Sequence, residues 1–522
     1  MPELLAAFDS SGMNPAQARA VRHPGGPALV LAGPGSGKTF LIVNRIRYLT
    51  ECCQAAPESI LVITFTRAAA RSMERRFTDA VGGRTLPVTF ATFHAIFYHI
   101  LRTYGSYSAD SLITEKEKRW YLRQIMRRMP DKGANREKGF PQEEQEYLRR
   151  LIDLFGIYKN NPGEHMEDFL SDMSAEEFKG LFAAYESSVR RDGKLDFDDM
   201  AGLCLELFRR NPRILQKLHR QYRYILIDEY QDTNAVQDEA VRMLAYPENE
   251  IFAVGDDDQA IYGFRGSAPD IMRKFEERYP GAQRYLLETN YRSTGNIVDA
   301  SVKMIAQNQK RFVKKLSADA ECGAPVRYLA FSDKNGEYEY LAARIKELSV
   351  GIACEDMAVI TRTNRELERI AGMLRESGIP CSAAETGKSR FRHFIVRDVM
   401  DCLAYAAGET EAVPAVWRKM EGDERKRQIL SRQLPYAALQ YLRRGLGYDE
   451  YLHRKAAEHS KFPEEWEEIL QLLTDQSRKY SGCMEWKKAM EEQISEWEGR
   501  GGKKTETAEG VHLLTMHGAK GL

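Results

Sequence analysis

The chain has 522 residues, of which 43% are hydrophobic and 29% are charged, a composition typical of a folded protein of several domains. Its 76 Lys and Arg residues balance 76 Asp and Glu residues, which leaves a nucleic-acid partner open because one local basic groove suffices for binding. No apolar run has the roughly 18 residues of a membrane span, so we expect no membrane partner. The eight cysteines form no CxxC pair, which disfavours a zinc or iron–sulfur site and favours a cytoplasmic protein with reduced thiols.

Short apolar runs rich in branched residues recur along the chain, each near glycine or acidic residues. Such runs, separated by amphipathic stretches, predict buried strands of a parallel sheet flanked by helices. In the first half of the chain the predicted strands are 29–31, 60–65, 224–227 and 251–254. In the second half they are 326–331, 357–361 and 511–515.

Each set of strands is interrupted by a long stretch of helical character. The first interruption is assigned to residues 109–189 and the second, which is charged and contains tryptophan, to residues 387–509. The sequence therefore predicts an α/β protein with two core domains in tandem, each carrying a helical insertion.

The strongest local signal is the segment AGPGSGKT between a predicted strand and a predicted helix. Its glycines let successive backbone N–H groups point at phosphate oxygens, and the start of the helix adds positive potential. Lys38 is expected to contact the β- and γ-phosphates, and Thr39 to bind Mg²⁺. The segment predicts an ATP or GTP site formed by Ala32, Gly33, Pro34, Gly35, Ser36, Gly37, Lys38 and Thr39.

Two adjacent carboxylates, Asp228 and Glu229, follow the predicted strand 224–227. Neighbouring carboxylates at a buried strand end are costly unless a cation neutralises them. We therefore expect Asp228 to hold Mg²⁺ and Glu229 to orient and deprotonate the attacking water. The alternative is a polar strand end that caps the next helix.

Several segments, in order, resemble motifs of the UvrD/Rep/PcrA family of superfamily-one DNA helicases. They are MNPAQ at 13–17, ILVITFTRAAARSM at 60–73, TFHAIF at 92–97, LDFDDM at 195–200, DEYQDTN at 228–234, VGDDDQAIYGFRG at 254–266, LETNYRST at 287–294 and TMHGAKGL at 515–522. The resemblance spans nearly the whole chain and implies two RecA-like P-loop NTPase cores. Their limits would be 1–108 with 190–291 for the first core, and 292–386 with 510–522 for the second.

The resemblance also implies roles for individual residues at an ATP site. Gln17 would recognise the adenine edge, which favours ATP over GTP, and Tyr291 would stack on the adenine. Gln259 would sense the γ-phosphate. Arg292 would act as an arginine finger that stabilises charge on the transferring phosphoryl group.

The same resemblance implies a track for single-stranded DNA, which needs stacking aromatic rings and polar groups on one face. The implied DNA-binding residues are Phe65, His94, Tyr262, Phe264, Arg265, His517 and Lys520. Each of these aromatic residues, taken alone, is more often part of a core than of a stacking platform. Asp196, Asp198 and Asp199 match a family motif, but capping of the following helix explains them equally well.

The function implied is an ATP-dependent helicase that moves 3′→5′ on single-stranded DNA or at junctions with duplex DNA, with repair or replication proteins as partners. The chain stops within its last motif, so we expect an incomplete second core, poor hydrolysis and little unwinding. The alternative is an ATP- and DNA-binding remnant that acts as a regulator or partner subunit. A small-molecule kinase is disfavoured by Asp228, Glu229 and the second α/β unit.

Overall fold

The computed structural model describes residues 8–128, 141–161, 170, 173–263, 269–383, 393–457, 464–500 and 510–521. The chain divides into two compact units, Met1–Tyr328 and Leu329–Leu522. The domain limits expected from the sequence at residues 291 and 386 stay predictions. Among the described residues, no helix combines the length and the apolarity that are needed to cross a bilayer.

The strands of the first unit are β1 Ala28–Ala32, β2 Ile60–Thr64, β3 Thr89–Thr92, β4 Tyr224–Ile227, β5 Ile251–Gly255, β6 Gln283–Leu287, β7 Thr289–Asn290 and β8 Ser317–Ala318. Its helices are α1 Pro15–Val21, α2 Lys38–Glu51, α3 Arg67–Ala80, α4 Phe93–Tyr104, α5 Glu115–Arg128, α6 Pro141–Asn160, α7 Ala175–Arg191, α8 Met200–Arg210, α9 Pro212–Gln221, α10 Ala235–Ala245, α11 Pro269–Arg273, α12 Phe275–Arg278 and α13 Gly295–Ile305.

A six-stranded sheet in the order β3-β2-β4-β5-β1-β6 forms the centre of this unit. All its neighbouring strands are parallel. Alternate residues of β1 enter two different hydrophobic clusters: Leu29 and Leu31 pack with residues of α4, α8 and α10, and Val30 with residues of α1, α2 and α3. Helices therefore cover both faces, which explains why these strands are apolar throughout. Because the strands are parallel, their carboxyl ends meet at one edge of the sheet.

The predicted insertion within the first unit contains α5, α6 and α7, which share one hydrophobic cluster. Asp196 and Asp199 form a capping box at the short helical turn before α8, as expected for caps. The same acids also bind lysines of the insertion: Lys118 lies 2.8 Å from Asp196, and Lys159 lies 2.6 Å from Asp199. These acids therefore tie the insertion to the core as well as capping a helix.

The second unit has strands β9 Ala358–Thr361, β10 Cys381–Ala383 and β11 Val511–Thr515, in the parallel order β10-β11-β9. Its helices are α14 Lys334–Leu348, α15 Asn364–Glu376, α16 Phe394–Ala407, α17 Ala415–Lys419, α18 Glu424–Ser431, α19 Pro435–Gln440, α20 Tyr448–Ala457, α21 Glu464–Ser477, α22 Cys483–Arg500 and α23 Met516–Ala519. Residues of α14 and α15 pack in one cluster with Val511 and Leu513 of β11.

The strand predicted at 326–331 is absent, which is a correction to the sequence analysis. Residues 326–331 pair with no other described strand, and Val326 and Tyr328 are exposed. An apolar run becomes a strand only where a neighbouring strand pairs with its backbone groups, and the run alone did not reveal that this partner is lacking. The short strands β3 and β6 were not predicted, because their sequences lack a continuous run of branched residues.

Candidate active site

The segment Gly33–Gly37 links β1 to α2 and has the backbone conformation of a tight anion-binding loop. Gly35 and Gly37 have φ angles of +66° and +84°, which residues with a Cβ rarely adopt. A Cβ on Gly35 would also come within 2.8 Å of Arg292 Cβ and Asn290 Oδ1. Lys38 and Thr39 begin α2, so the positive end of the helix lies beside the loop, as anion binding requires.

The residues that follow β6 hold this loop from one side. Gly33 donates its N–H to the carbonyl of Leu287 at 3.1 Å, and Tyr291 donates its N–H to the carbonyl of Gly35 at 3.0 Å. The Asn290 side chain donates to the carbonyl of Pro34 at 2.7 Å. These bonds place the exposed Tyr291 and Arg292 directly beside the loop.

The start of α1 also lies beside the Gly33–Gly37 loop. The Asn14 side chain caps α1 and donates to the hydroxyl of Tyr291 at 2.7 Å, a contact between residues 277 positions apart. Gln17 is buried, donates Nε2 to the carbonyl of Ser36 at 2.9 Å and accepts at Oε1 from the Asn14 N–H at 3.0 Å. Both polar atoms of Gln17 thus bind protein groups, and an amide can form further hydrogen bonds through its second N–H and its second lone pair.

Lys38 meets two of the predicted catalytic side chains at the carboxyl edge of the sheet. Its Nζ lies 3.4 Å from Glu229 Oε1 and donates to Gln259 Oε1 at 3.2 Å. Asp228 immediately follows β4, and its N–H donates to the carbonyl of Ile63 at 2.9 Å. Glu229 has a φ of +52°, an uncommon conformation for a residue with a side chain that turns the chain sharply at this point.

Two buried residues that the sequence analysis did not single out close a ring of hydrogen bonds with these groups. Gln231 donates Nε2 to Glu229 Oε2 at 2.5 Å and accepts at Oε1 from the Asp256 N–H at 2.9 Å. Asp256 Oδ2 accepts from Gln259 Nε2 at 2.5 Å. The ring therefore runs Lys38, Glu229, Gln231, Asp256, Gln259 and back to Lys38. Gln231 and Asp256 are both fully buried. The sequence signal that could have identified them is their position within the segments 228–234 and 254–266, which resemble family motifs.

Burial raises the pKa of Asp228 above the usual range for an aspartate, and the charge of Glu229 raises this pKa further, while the ammonium of Lys38 lowers it. A carboxylate in this environment gains from a cation that approaches it. Thr39 offers a hydroxyl oxygen in the first turn of α2. Oxygen donors of these two types suit Mg²⁺ beside a phosphate, so the residues present fit the predicted ion.

The residues predicted to contact DNA lie partly at the same edge. Phe65, just after β2, stacks with Tyr262 at 5.0 Å between ring centroids and 18° between ring planes. His94 at the start of α4 is exposed and contacts Phe197 edge-on at 5.8 Å. Phe264 and Arg265 lie outside the described residues. His517 and Lys520 belong to the second unit, in and just after α23.

Comparison with known proteins assigns the chain to a family. Residues 13–280 match the UvrD/REP helicase N-terminal domain, and residues 285–413 match the UvrD-like helicase C-terminal domain. The putative ATP-dependent DNA helicase YjcD of Bacillus subtilis (strain 168) is 31% identical over 566 residues, which cover 99% of this chain and 72% of that protein.

Other relatives carry the same description. The ATP-dependent DNA helicase PcrA of Leuconostoc citreum is 31% identical over 406 residues, which cover 76% of this chain and 52% of that protein. The ATP-dependent DNA helicase UvrD1 of Mycobacterium tuberculosis (strain ATCC 25618 / H37Rv) is 33% identical over 413 residues, which cover 76% of this chain and 52% of that protein. The chain thus spans about half the length of these two relatives.

Proposed function

The chain belongs to the UvrD/REP helicase family, and we propose on that premise that it is an ATP-driven motor on DNA. It would move 3′→5′ along single-stranded DNA and separate strands at junctions with duplex DNA. Its cellular role would lie in DNA repair or replication, with proteins of those processes as partners.

The observation that carries this proposal is the double contact of Lys38 with Glu229 and Gln259. A phosphate-binding lysine that pairs with a carboxylate can exchange that carboxylate for phosphate oxygens when ATP binds. Glu229 would then be released to accept a proton from the attacking water, and Gln259 would lie beside the γ-phosphate. Arg292, placed next to Gly35, would stabilise charge on the transferring phosphoryl group.

Thr39 and Asp228 would hold Mg²⁺ at this site. The ion, when bound, supplies positive charge that offsets the charge of the phosphate oxygens. Gln17 and Tyr291, which both bond to Asn14, would bind the adenine.

The stacked pair Phe65 and Tyr262 supports a DNA track at the same edge of the sheet. Tyr262 lies three positions after Gln259 in the chain, so a shift of Gln259 on ATP binding would be transmitted over a short distance to the stacking platform. Base–aromatic stacking tolerates any sequence, because every base has a π-face. His94, Phe264, Arg265, His517 and Lys520 would add further contacts to the strand.

Strand displacement tests this function. The chain is mixed with ATP, Mg²⁺ and short duplexes that carry a single-stranded tail on either the 3′ or the 5′ side. We expect slow displacement of the 3′-tailed duplex, in keeping with the little unwinding expected from the sequence, and no displacement of the 5′-tailed duplex. Displacement of the 5′-tailed duplex would contradict the polarity, and the absence of displacement from both, with ATP turnover intact, would contradict the helicase function.

A further inference from the structure

A buried cluster of positively and negatively charged side chains adjoins the ring of hydrogen bonds. The proposed reaction does not use this cluster. Lys314 is fully buried, and its Nζ lies 2.5 Å from Asp256 Oδ1, 2.5 Å from Asp257 Oδ1 and 2.9 Å from Asp258 Oδ2. Burying an ammonium without a partner is strongly unfavourable. Three carboxylates around a single ammonium keep it charged inside the protein.

Neighbouring groups complete the cluster. Arg311 donates Nε and Nη2 to the two carboxylate oxygens of Asp258 at 2.7 and 2.6 Å. The Phe312 N–H donates to Asp257 Oδ2 at 2.7 Å. The three aspartates are close enough together to suggest a metal site, but the ammonium of Lys314 lies among their oxygens. The cluster is therefore an ion pair network.

Asp256 connects this cluster to the proposed catalytic residues, because its second oxygen accepts from Gln259 Nε2. The orientation of the Gln259 amide follows from its two neighbours. Lys38 can only donate, so it faces Oε1, and the ionised carboxylate of Asp256 can only accept, so it faces Nε2. The ammonium of Lys314 holds the other oxygen of the same Asp256 carboxylate. Loss of that ammonium would leave this carboxylate without the contact that fixes its orientation, and the amide of Gln259 would lose a fixed acceptor.

We propose that Lys314 is a positioning residue for ATP hydrolysis, which acts through Asp256 to fix the side-chain amide of Gln259. This inference rests on the proposed function of the Lys38 site. Asp256 also holds Gln231 through its N–H, and Gln231 holds Glu229. Lys314, 58 positions after Asp256, thus orients both the residue that faces the γ-phosphate and the general base.

The test measures steady-state ATP hydrolysis by the full chain with saturating single-stranded DNA. Lys314→Met removes the ammonium, and Lys315→Met is the matched control because Lys315 is exposed. We expect Lys314→Met to lower kcat by about tenfold to a hundredfold, the scale of a small misplacement of catalytic groups. KM for ATP should change by less than about threefold, since the phosphate loop is intact. Lys315→Met should match the unaltered chain.

A second variant covers the case in which Lys314→Met does not fold. Asp256→Asn keeps Lys314, Asp257 and Asp258 but turns an amide donor towards Gln259, so it should lower kcat by a similar factor. If Lys314 acts through Asp256, the double variant loses no more activity than either single variant. Multiplied losses in the double variant, or a Lys314→Met variant as active as Lys315→Met, would overturn the inference.

Failure of the proposed function gives a different result. An unaltered chain whose ATP hydrolysis does not respond to DNA would overturn the function and this inference together. An active unaltered chain with an equally active Lys314→Met variant would overturn the inference alone.

Discussion

The Nζ atom of Lys38 lies 3.4 Å from Oε1 of Glu229, and both side chains are largely buried. The lysine of the phosphate loop therefore neutralises the carboxylate that we propose as the general base. Binding of a triphosphate would offer Lys38 stronger partners and would release the carboxylate for catalysis. The contact thus links occupation of the site to activation of the base.

Replacement of Glu229 by glutamine should separate binding from hydrolysis. Glutamine keeps the size and the bond to Gln231 but cannot accept a proton, so kcat should fall by about 10²–10⁴-fold, the usual contribution of a general base. ATP affinity should be retained. Turnover and equilibrium nucleotide binding are the measurements, with Glu248→Gln as control because Glu248 is exposed in the turn before β5. A Glu229→Gln variant with unchanged kcat would show that another group accepts the proton.

Two substitutions of Tyr291 should distinguish its ring from its hydroxyl. Tyr291→Phe loses the bond from Asn14 but keeps the ring, so KM for ATP should stay within about twofold if the ring stacks on the adenine. Tyr291→Ala loses both and should raise KM by about tenfold, as expected for about 1.4 kcal/mol of stacking. Equal effects of the two substitutions would indicate that the hydroxyl matters instead of the ring.

The stacked pair of Phe65 and Tyr262 should contribute to DNA binding. Tyr262→Ala should weaken binding of single-stranded DNA by about 1–3 kcal/mol, the usual value for one stacked base. Tyr246→Ala is the matched control, because Tyr246 is exposed after α10, near the amino ends of the strands. Fluorescence anisotropy with a labelled oligonucleotide measures both variants. Equal affinities would remove Tyr262 from the proposed track.

The raised pKa of Asp228 predicts that ionisation of this side chain destabilises the folded chain near neutral pH. Because burial raises this pKa in the folded chain, the folded state binds the proton more tightly than the unfolded state. Stability should therefore fall as pH rises from the unfolded pKa of about 4 towards the higher folded value. Asp228→Asn should increase the free energy of unfolding near neutral pH by roughly 1–3 kcal/mol and by little near pH 4. Urea unfolding in the absence of nucleotide measures the free energy of unfolding of both proteins. An Asp228→Asn variant that is less stable than the unaltered chain at neutral pH would contradict this interpretation.

The parts of the site that could be predicted from the sequence depend on neighbouring residues. The glycines around Gly35 set a local backbone conformation, and Asp228 directly follows an apolar run, so both were visible in short segments. The structure places Lys38, Glu229 and Gln259 in contact, while their catalytic roles stay proposals.

The parts that could not be predicted depend on contacts between distant segments. Lys314 lies in an ordinary basic stretch, and only the fold brings it to Asp256, 58 positions earlier. The bond between Asn14 and Tyr291 spans 277 positions. The error at 326–331 has the same origin, because the sequence shows an apolar run but does not show whether a neighbouring strand exists.

ATP turnover with and without single-stranded DNA, for the unaltered chain and for Lys38→Ala, tests the central claim most directly. We expect DNA to accelerate turnover by the unaltered chain, and we expect Lys38→Ala to lose nucleotide affinity and turnover together, because it removes the ammonium that contacts phosphate. ATP turnover that DNA does not accelerate, or turnover that persists in the Lys38→Ala variant, would contradict a DNA motor driven by ATP at this loop.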